Sequence, residues 1–466
     1  MHSASTAPAP LIPPAPKVHD QPLGGSALGD VRVALEMGRN LVGAWAESDF
    51  DNLVTPYRFM GRTGVVVSDP IGVRQVLASA DFRRPVKLGR PLKPLVGEGL
   101  LLTEGETWKR QRKSLAPVFT PAAIGGLTPH FVAAGADLLQ RLTGQDRANL
   151  SAAFHHTSLD AVLRALFSRR ADRDGAMLAE IARRYVEGPA HFRFLDLVGR
   201  GLDDLTFADG DRRKWGGRWL MAVDAIVAER RAAAPLDNPR AGDLLDRLLA
   251  ARDEDGRPLP DQEVRDQCSS MLAAGFETTS RLLFWAAYLL ALDPATQDRV
   301  RAEALAFPAE RVGGLDDLKA WPLLRSVLFE TLRLYPSAPT FGREALVDTE
   351  VMGHPIPAGG AVTISPWLMH RHRKLWDAPT AFRPERFLDQ AHPWGNEAFI
   401  PFGAGPRVCI GAGFALAEAQ IVLASLLSHF RIAMASDRPV VPRASITLGP
   451  DHEPAFRLEP IVQARP

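Results

Sequence analysis

The feature that most constrains the fold is a long, unbroken helical pattern from about Asp261 to Leu292. Asp261 is suited to cap its start, and Asp293-Pro294 ends it, because proline disfavours helix in the residue before it. At ~1.5 Å per residue, such a helix is more than about 40 Å long, the width of a whole domain. Its second half, Leu282–Leu292, is apolar on nearly every face and is therefore predicted to be buried on all sides. The pattern therefore predicts a long helix through the middle of the protein that positions a functional site there.

Helical patterns dominate the middle of the chain, and shorter strand patterns flank them. Helical character runs from Thr107 to Leu334, and a final helix is predicted from about Ile410 to Phe430. Runs of β-formers separated by turn residues predict the following strands: Val54–Met60, Gly64–Val67, Val351–His354, Ile356–Gly359, Ala361–Ser365, Ala444–Leu448 and Ala455–Leu458. The sequence thus predicts a mainly α fold with a smaller β region.

Charge and cysteine content exclude several classes of protein. The net charge of +1 gives no bulk attraction to nucleic acid or to an anionic membrane, so no nucleic-acid partner is expected. With only two cysteines, Cys268 and Cys409, a disulfide framework is excluded and a zinc site with several thiolates is disfavoured. Two free thiols fit a reducing compartment, and a cytoplasmic location is expected. We interpret Cys268 as a small buried hydrophobic residue.

The start of the chain is rich in proline. Residues 1–30 are predicted to form a flexible segment ahead of a single domain, residues 31–466. The segment lacks the basic beginning and long apolar run of a signal peptide. No stretch approaches the roughly 20 apolar residues of a membrane span, so no membrane anchor is expected. We also expect a monomer.

Residues 402–411, FGAGPRVCIG, combine a glycine-rich loop with a cysteine just before a helix. Gly403, Gly405 and Gly411 allow the backbone to turn tightly and to approach a flat ligand. Peptide dipoles at the helix start favour the thiolate form of Cys409. The plain alternative is a glycine turn with an incidental cysteine, but many positions would then have to coincide.

This loop resembles the haem-binding loop of the cytochrome P-450 superfamily. The resemblance implies that Cys409 is the axial iron ligand of haem b, that Phe402 packs near it, and that Arg407 pairs with a haem propionate. It also implies a single triangular domain, in which the haem lies between the long central helix and the helix after the cysteine loop.

A second motif matches the superfamily at Glu330 and Arg333, which share one helical face at i,i+3. Alone, such a pair is usually a solvated salt bridge of little energetic value. Arg386, in the stretch FRPERF, is expected to complete a Glu–Arg–Arg cluster that stabilises the loop leading to the cysteine. We assign this cluster a folding role.

A third motif is the pair Trp108 and Arg112, which project together at i,i+4. An indole N–H and a guanidinium can both donate to a propionate, although a surface aromatic–cation pair is the alternative. The resemblance implies a further propionate contact from Arg343. Arg90 and Lys93 lie where some members add another, with the register left open.

The fourth motif is AGFETT, residues 274–279, midway along the long helix. Threonines and an acid disfavour a buried helix interior, which predicts a helix locally opened over a site. Gly275 is predicted to leave room beside a cofactor. By resemblance, Thr278 hydrogen-bonds dioxygen and Glu277 belongs to a proton relay. The alternative is a surface glutamate with hydroxyl neighbours.

Together these motifs predict a haem-thiolate monooxygenase that activates O₂ with two externally supplied electrons and inserts one oxygen atom into a mainly apolar substrate. Two alternatives remain: a haem-thiolate peroxygenase or isomerase, and a non-enzymatic haem protein that binds a ligand. Intact Glu277 and Thr278 argue against the first, and turnover with NAD(P)H and surrogate redox partners separates all three. Family position places these residues in the substrate pocket: Met271, Leu272, Ala273, Phe276, Phe341, Thr447 and Leu448.

Because little chain follows the cysteine loop, the electrons are expected from another protein, a small ferredoxin or flavodoxin with its NAD(P)H-dependent reductase. Lys109, Arg110 and Lys113 project away from Trp108 and Arg112 on the same helix. This local basic patch is predicted to attract an acidic donor.

Overall fold

Helices make up most of the chain that the structure describes. The computed structural model describes residues 11–461 apart from these stretches: 21–25, 172, 192, 194–195, 197–208, 234–241, 253–254 and 389–396. The α-helices are α1 (Ala27–Arg39), α2 (Pro70–Ala78), α3 (Val86–Gly89), α4 (Lys93–Val96), α5 (Gly105–Leu115), α6 (Pro121–Leu142), α7 (Leu150–Phe167), α8 (Arg173–Glu187), α9 (Gly210–Ala232), α10 (Leu244–Ala250), α11 (Asp261–Leu292), α12 (Pro294–Ala306), α13 (Pro322–Leu334), α14 (Pro366–Met369) and α15 (Ala412–His429).

The strands are short and form small sheets. They are β1 (Val54–Phe59), β2 (Arg62–Val67), β3 (Phe82–Arg83), β4 (Arg147–Ala148), β5 (Phe341–Ala345), β6 (Thr349–Val351), β7 (His354–Ile356), β8 (Ala361–Ile364), β9 (Phe430–Met434), β10 (Pro442–Ala444), β11 (Leu448–Pro450) and β12 (Phe456–Pro460). The largest sheet has the order β1-β2-β8-β5-β3, in which β2 and β8 are parallel. Val65 on β2 lies opposite Val362 on β8, and both are fully buried. The predicted mainly α architecture with a smaller β region is confirmed.

The central helix α11 is confirmed over its whole predicted length. It has 32 residues, about 48 Å at the usual rise. It packs against α7, α9, α13 and α15, and residues 282–290 are all buried. Its start differs in one detail, because the cap position is Pro260 and Asp261 lies in the first turn. An acid there still interacts favourably with the helix dipole.

Several strand predictions are wrong in detail. The predicted strand Val351–His354 contains the turn at residues 352–353 between β6 and β7, and only Ile356 of the predicted Ile356–Gly359 lies in β7. Residues 444–448 are not one strand, because β10 ends at Ala444 and a turn carries the chain to β11 at Leu448. The segment Ala361–Ser365 does not extend the β6–β7 hairpin, since β8 joins the large sheet between β2 and β5. In these places the sequence carries a strand pattern, but pairing with distant segments determines where each strand ends and which sheet it joins.

Part of the predicted flexible segment is attached to the domain. The carbonyl of Leu11 accepts a hydrogen bond from the Phe382 N–H (2.8 Å), and the carbonyl of Pro14 accepts one from the Tyr335 hydroxyl (3.1 Å). Helix α1 begins at Ala27, inside the predicted segment. A proline-rich stretch cannot use all its carbonyls in local structure, so they remain available to the domain. The rest of the predicted segment, residues 1–10 and 21–25, lies outside the described residues.

Two described helices, α6 and α15, are long and apolar enough to cross a membrane by length and composition alone. They pack against each other, and α15 is mostly buried. Core helices pass the same test, so this property is weak support for a membrane span.

Candidate active site

The cysteine loop forms the turn that its glycines predicted. Gly403 and Gly405 both have φ of +71°, a conformation that disfavours any side chain. A Cβ at Gly405 would also lie 2.8 Å from the Leu77 carbonyl oxygen, so the loop can rest on α2 only with glycine there. The Cys409 N–H donates to the Phe402 carbonyl (2.9 Å), which ties the cysteine to the start of the loop. Gly411, by contrast, has an ordinary backbone conformation.

The ionisation of Cys409 differs from the simple prediction. The N–H of Gly411 at the start of α15 and the charge of Arg112 both favour the thiolate, as expected of a helix start. The protein atoms packed around the thiol have the larger effect, however, and their desolvation raises its pKa above the ordinary value, although the residue keeps accessible surface. The helix start alone therefore does not make Cys409 a thiolate. A bound metal cation would supply the missing stabilisation, because a coordinating thiol loses its proton.

Trp108 lies between two of the predicted arginines. The Arg112 guanidinium is 5.8 Å from the centre of its ring, and the Arg407 guanidinium is 4.3 Å from it. Arg407 also donates to the Thr103 carbonyl (3.1 Å) and pairs with Glu104. Helix α5 and the cysteine loop, which are about 300 residues apart in sequence, thus meet at one point.

Arg343 and a further arginine, Arg84, join this group. Burial and the positive charge of Arg407 lower the pKa of Arg84 to about 10, and the same two causes lower the pKa of Arg343. Glu104 is the acid that opposes these effects. We call Arg84, Arg112, Arg343 and Arg407 the arginine cluster.

The arginine cluster and Cys409 fit haem b. Four guanidiniums beside one described carboxylate leave an excess of positive charge, which two propionates would neutralise. A cysteine on a glycine loop beside that cluster would supply the single thiolate ligand when the haem iron is bound. The further cation that the sequence placed at Arg90 or Lys93 is instead Arg84. Arg90 donates to the Asp196 carbonyl (3.1 Å), and Lys93 pairs with Glu98.

One face of α11 remains accessible midway along an otherwise buried helix. Ala273, Ala274 and Thr278 are half-buried on this face. The Thr278 hydroxyl donates to the Ala274 carbonyl (2.8 Å), and the Thr279 hydroxyl donates to the Gly275 carbonyl (2.9 Å). The predicted local opening of the helix is wrong, because α11 is continuous and these hydroxyls bond back to its own carbonyls.

Gly275 lies at a close contact between two helices, and its place beside a cofactor stays a prediction. A Cβ there would lie 3.0 Å from Val162 of α7, so glycine allows the two helices to approach closely. Some predicted pocket residues are also part of the core. Phe276 packs against the rings of His155 and Trp219, and it is almost fully buried.

The other predicted pocket residues divide by burial. Leu272 and Leu448 are fully buried, and Met271 is buried as well. Thr447 is buried and bonds to Glu277. Ala273 and Phe341 are half-buried and remain candidates for contact with a ligand.

Glu277 lies in a buried polar network between α7 and α11. One carboxylate oxygen is 2.9 Å from Nε2 of His155, and the other accepts from Nε of Arg281 and from the Thr447 hydroxyl, both at 2.9 Å. Nδ1 of His155 is 2.9 Å from the Ser151 carbonyl. Burial alone would raise the pKa of Glu277, but Arg281 and His155 outweigh it and hold the pKa well below its ordinary value. The acid is therefore ionised.

Comparison with known proteins agrees with this geometry. A family model described as cytochrome P-450 matches residues 44–451. The chain belongs to the cytochrome P-450 family.

Three relatives of this cytochrome P-450 come from different kingdoms. Cytokinin hydroxylase of Arabidopsis thaliana is 31% identical over 392 residues, 79% of this chain and 74% of that protein. Human cytochrome P-450 4F12 is 31% identical over 407 residues, 80% and 73% of the two chains. Cyclooctatin synthase of Streptomyces melanosporofaciens is 31% identical over 448 residues, 92% of each chain. As a member of the family, this cytochrome P-450 is a haem monooxygenase that uses O₂, takes electrons from a redox partner and oxidises an organic substrate.

The predicted Glu–Arg–Arg cluster of this cytochrome P-450 is confirmed. Arg333 forms two hydrogen bonds of 2.7 Å with Glu330, and Nε of Arg386 donates to the same carboxylate (3.1 Å). The remaining Arg333 N–H groups donate to the carbonyls of His370, Pro379 and Ala381 (2.6–2.9 Å). His370 in turn accepts from the Ile400 N–H (3.0 Å), two residues before Phe402. The cluster thus fixes the segment that leads to the cysteine loop.

Sequence reasoning missed Arg84, Glu104, His155 and Arg281. Arg281 could have been found, since it lies one turn after Glu277 on the same helix. His155 gave no such signal, because it reaches Glu277 across 122 residues of sequence.

Proposed function

We propose that this cytochrome P-450 binds haem b through Cys409 and the arginine cluster, and that Thr278 and Glu277 serve oxygen binding and proton delivery. The observation that carries the proposal is the convergence of four arginines and Trp108 on the loop of a single accessible cysteine. Haem with a thiolate ligand supplies the electron-rich iron that favours cleavage of the O–O bond.

The chain's own residues orient the reactants and move protons. The arginine cluster would hold the two propionates and fix the plane of the cofactor. The Thr278 hydroxyl can both donate and accept, so it can hold dioxygen or a water molecule at the accessible face of α11. The buried side chains around Glu277 limit entry of bulk water to the helix at this point.

Paired threonine variants test the proposed role of Thr278. Thr278→Ala is expected to bind haem and consume O₂ while diverting electrons to peroxide or water, so product formed per NAD(P)H consumed falls. Thr279→Ala is the matched control, because its hydroxyl makes the same backbone bond on a buried face. An unaltered ratio in Thr278→Ala, or an equal fall in both variants, would remove Thr278 from the oxygen site.

The substrate is proposed to be a small, mainly apolar organic molecule that contacts the half-buried face around Ala273 and Phe341. Apolar side chains with few polar groups favour such a ligand. A screen of ligands for a shift of the Soret band identifies those that displace water from the iron. Tight binding by charged, polar compounds alone would contradict the proposal.

The electron donor is proposed to be an acidic ferredoxin or flavodoxin that docks at α5, where Lys109 and Lys113 are both exposed. Arg110 is not part of this proposed surface, because its guanidinium forms two hydrogen bonds with the Glu263 carboxylate (2.7 and 3.1 Å). Lys109 contacts Glu106 (2.6 Å), an exposed pair that offsets little of its charge at a distance.

Charge reversal tests this docking surface. Lys109→Glu with Lys113→Glu is expected to slow reduction by the donor and to flatten its dependence on salt. Lys319→Glu is the matched control, since Lys319 forms an equally exposed i,i+3 pair with Asp316. Stopped-flow reduction at low and high ionic strength measures the effect, and equal rates in all three proteins would place docking elsewhere.

The protein is further proposed to work in the cytoplasm as a monomer. The support for the compartment is that both cysteines are free thiols, as expected in a reducing environment. Cell fractionation and light scattering test these proposals, and recovery with membranes or at twice the chain mass would contradict them.

A further inference from the structure

The hydrogen bonds of His155 define where its protons are. Nδ1 faces the Ser151 carbonyl, which can only accept, so Nδ1 carries a hydrogen. Nε2 faces the carboxylate of Glu277. A neutral imidazole has a single N–H, which the Ser151 contact already uses. The contact between His155 and Glu277 must therefore contain one additional proton, on the ring or on the acid.

The surroundings of Glu277 decide between these two positions. Its other oxygen accepts from both Arg281 and Thr447, and such donors stabilise an ionised carboxylate. With the acid ionised, the additional proton belongs to the His155 ring, which is then an imidazolium. The contact is almost shielded from water, since the two side chains are 11% and 6% exposed.

We propose that His155 stores the proton that Glu277 passes to the oxygen site, so that the His155–Glu277 pair is the proton source for each delivery step. This inference rests on the proposed role of Glu277 in proton delivery. It adds a residue on α7 that supplies the acid without touching the reactants, and we call His155 a positioning and proton-storing residue.

The proton balance of one step is simple. The imidazolium loses the Nε2 proton to Glu277 and becomes the neutral ring with its hydrogen on Nδ1, so the Ser151 bond is kept. Glu277 passes that proton on and is ionised again beside Arg281. The Nε2 lone pair then faces a carboxylate, which is unfavourable, and one proton from water at the exposed edge of His155 restores the pair.

Asp160 of α7 has partners of its own and does not compete for the stored proton. It bonds to Arg164 and to the Ala171 N–H. The described groups that contact His155 or Glu277 from the surrounding elements are Arg281 and Phe276 of α11 and Thr447 of the β10–β11 turn. Further along α7, Arg141 of α6 lies beside His156 and Glu418 of α15 lies beside Ser158.

The competing explanation is a fixed ion pair that only supports the fold. The two explanations differ in whether the ring must exchange its proton. His155→Gln distinguishes them, because a glutamine amide can still donate to Glu277 but cannot carry a transferable proton. His156→Gln is the matched control, since His156 is the neighbouring histidine on α7 and its charged neighbours are Arg141 and Asp160.

The first measurement reads the ring directly and uses the wild-type holoenzyme. In the reduced CO-bound form, which is diamagnetic, the ¹⁵N shifts of His155 are expected to show both nitrogens protonated at pH 7. In Glu277→Gln, the ring is expected to be neutral with its hydrogen on Nδ1. The signal is assigned by its loss in His155→Gln. A neutral His155 ring in the wild type would overturn the inference, whatever the activity of the variants.

The second measurement is product formed per NAD(P)H consumed, in H₂O and in D₂O. His155→Gln is expected to lower this ratio several-fold and to increase the solvent isotope effect, while His156→Gln matches the wild type. If Glu277→Gln lowers the ratio and His155→Gln does not, the inference fails and the role of Glu277 stands. If Glu277→Gln leaves the ratio unchanged, the proposed role of Glu277 itself fails.

Discussion

Two buried glutamates of this protein each pair with an arginine on their own helix, but they differ in whether their partners can transfer a proton. Glu330 of α13 is fully buried and pairs with Arg333 three residues later, and Glu277 of α11 is nearly buried and pairs with Arg281 four residues later. Their remaining partners differ. The Glu330 carboxylate also accepts a hydrogen bond from Arg386, whereas the further hydrogen-bond partners of Glu277 are a histidine and a hydroxyl.

The difference teaches what converts a buried ion pair into a proton site. Arginine does not lose its proton at any working pH, so the cluster around Glu330 is a fixed set of charges. Histidine can release a proton and take one up, so the network around Glu277 contains a group that can carry and transfer a proton. The first arrangement stabilises a loop, and the second can take part in the reaction.

Removing one partner of the fixed cluster gives the largest expected effect. Arg333→Ala leaves a buried carboxylate with reduced compensation, which costs about 3–5 kcal/mol. It also removes donors to three carbonyls of the segment before the cysteine loop. We expect little or no haem-loaded protein, as measured by yield and by urea unfolding. Arg383→Ala is the control, because the side chain of Arg383 forms a partly exposed pair with Asp377; normal loading of Arg333→Ala would break the comparison.

The matching change in the second network is expected to be milder. Arg281→Gln leaves His155 and Thr447 on Glu277, so the loss in free energy of unfolding is about 1–3 kcal/mol. Because the folded-state pKa of Glu277 is lowered, its contribution is present above the ordinary value of 4.5 and is lost as pH falls below it. The difference between wild type and variant should therefore stay constant from pH 7 to about pH 4.5 and shrink as the pH falls further in urea titrations. A difference independent of pH would show that Arg281 does not act through this carboxylate.

A third buried glutamate, Glu418 of α15, differs from both: within the part of the chain that the structure describes, its polar neighbour is Ser158 and no arginine pairs with it. Burial raises the pKa of Glu418 well above its ordinary value of 4.5, and the Ser158 hydroxyl acts in the opposite direction. Because the folded-state pKa is raised, the contribution of Glu418 to the free energy of unfolding is fully present below pH 4.5 and decreases as the pH rises above 4.5.

Glu418→Gln is thus expected to act with the opposite sign. The variant cannot ionise, so its stability relative to the wild type should rise from pH 5 to pH 8, by up to about 1.4 kcal/mol per pH unit while Glu418 stays protonated in the folded state. Thermal or urea unfolding across this range measures it. Loss of stability at pH 8 would indicate an ionised Glu418 with a partner.

The local motifs could be predicted from sequence, and the contacts between distant elements could not. Cys409, Arg407 and Glu330 stand in short stretches whose spacing carries the information, and the limits of α11 follow from Asp293-Pro294 and the apolar run before it. The close approach of Val162 to Gly275 could not be predicted from the sequence, because the two residues lie on different helices.

The missed residues have the same cause. Arg84 joins the arginine cluster only because β3 and β5 pair and bring its segment beside Arg343. Thr447 was interpreted as part of a strand, while it lies in the turn that brings its hydroxyl to Glu277. In each case a long-range contact, rather than the local pattern, assigns the role.

The assignment of Cys409 as the iron ligand is tested most directly by the Soret band of the reduced CO complex. A thiolate ligand is expected to shift this band strongly to the red, and Cys409→His should lose the shift while retaining haem. Cys268→Ala is the matched control, because Cys268 is the other cysteine and is fully buried in the core. The red-shifted band is expected in the wild type and in Cys268→Ala, and it is expected to be absent in Cys409→His. Persistence of the band in Cys409→His would contradict it.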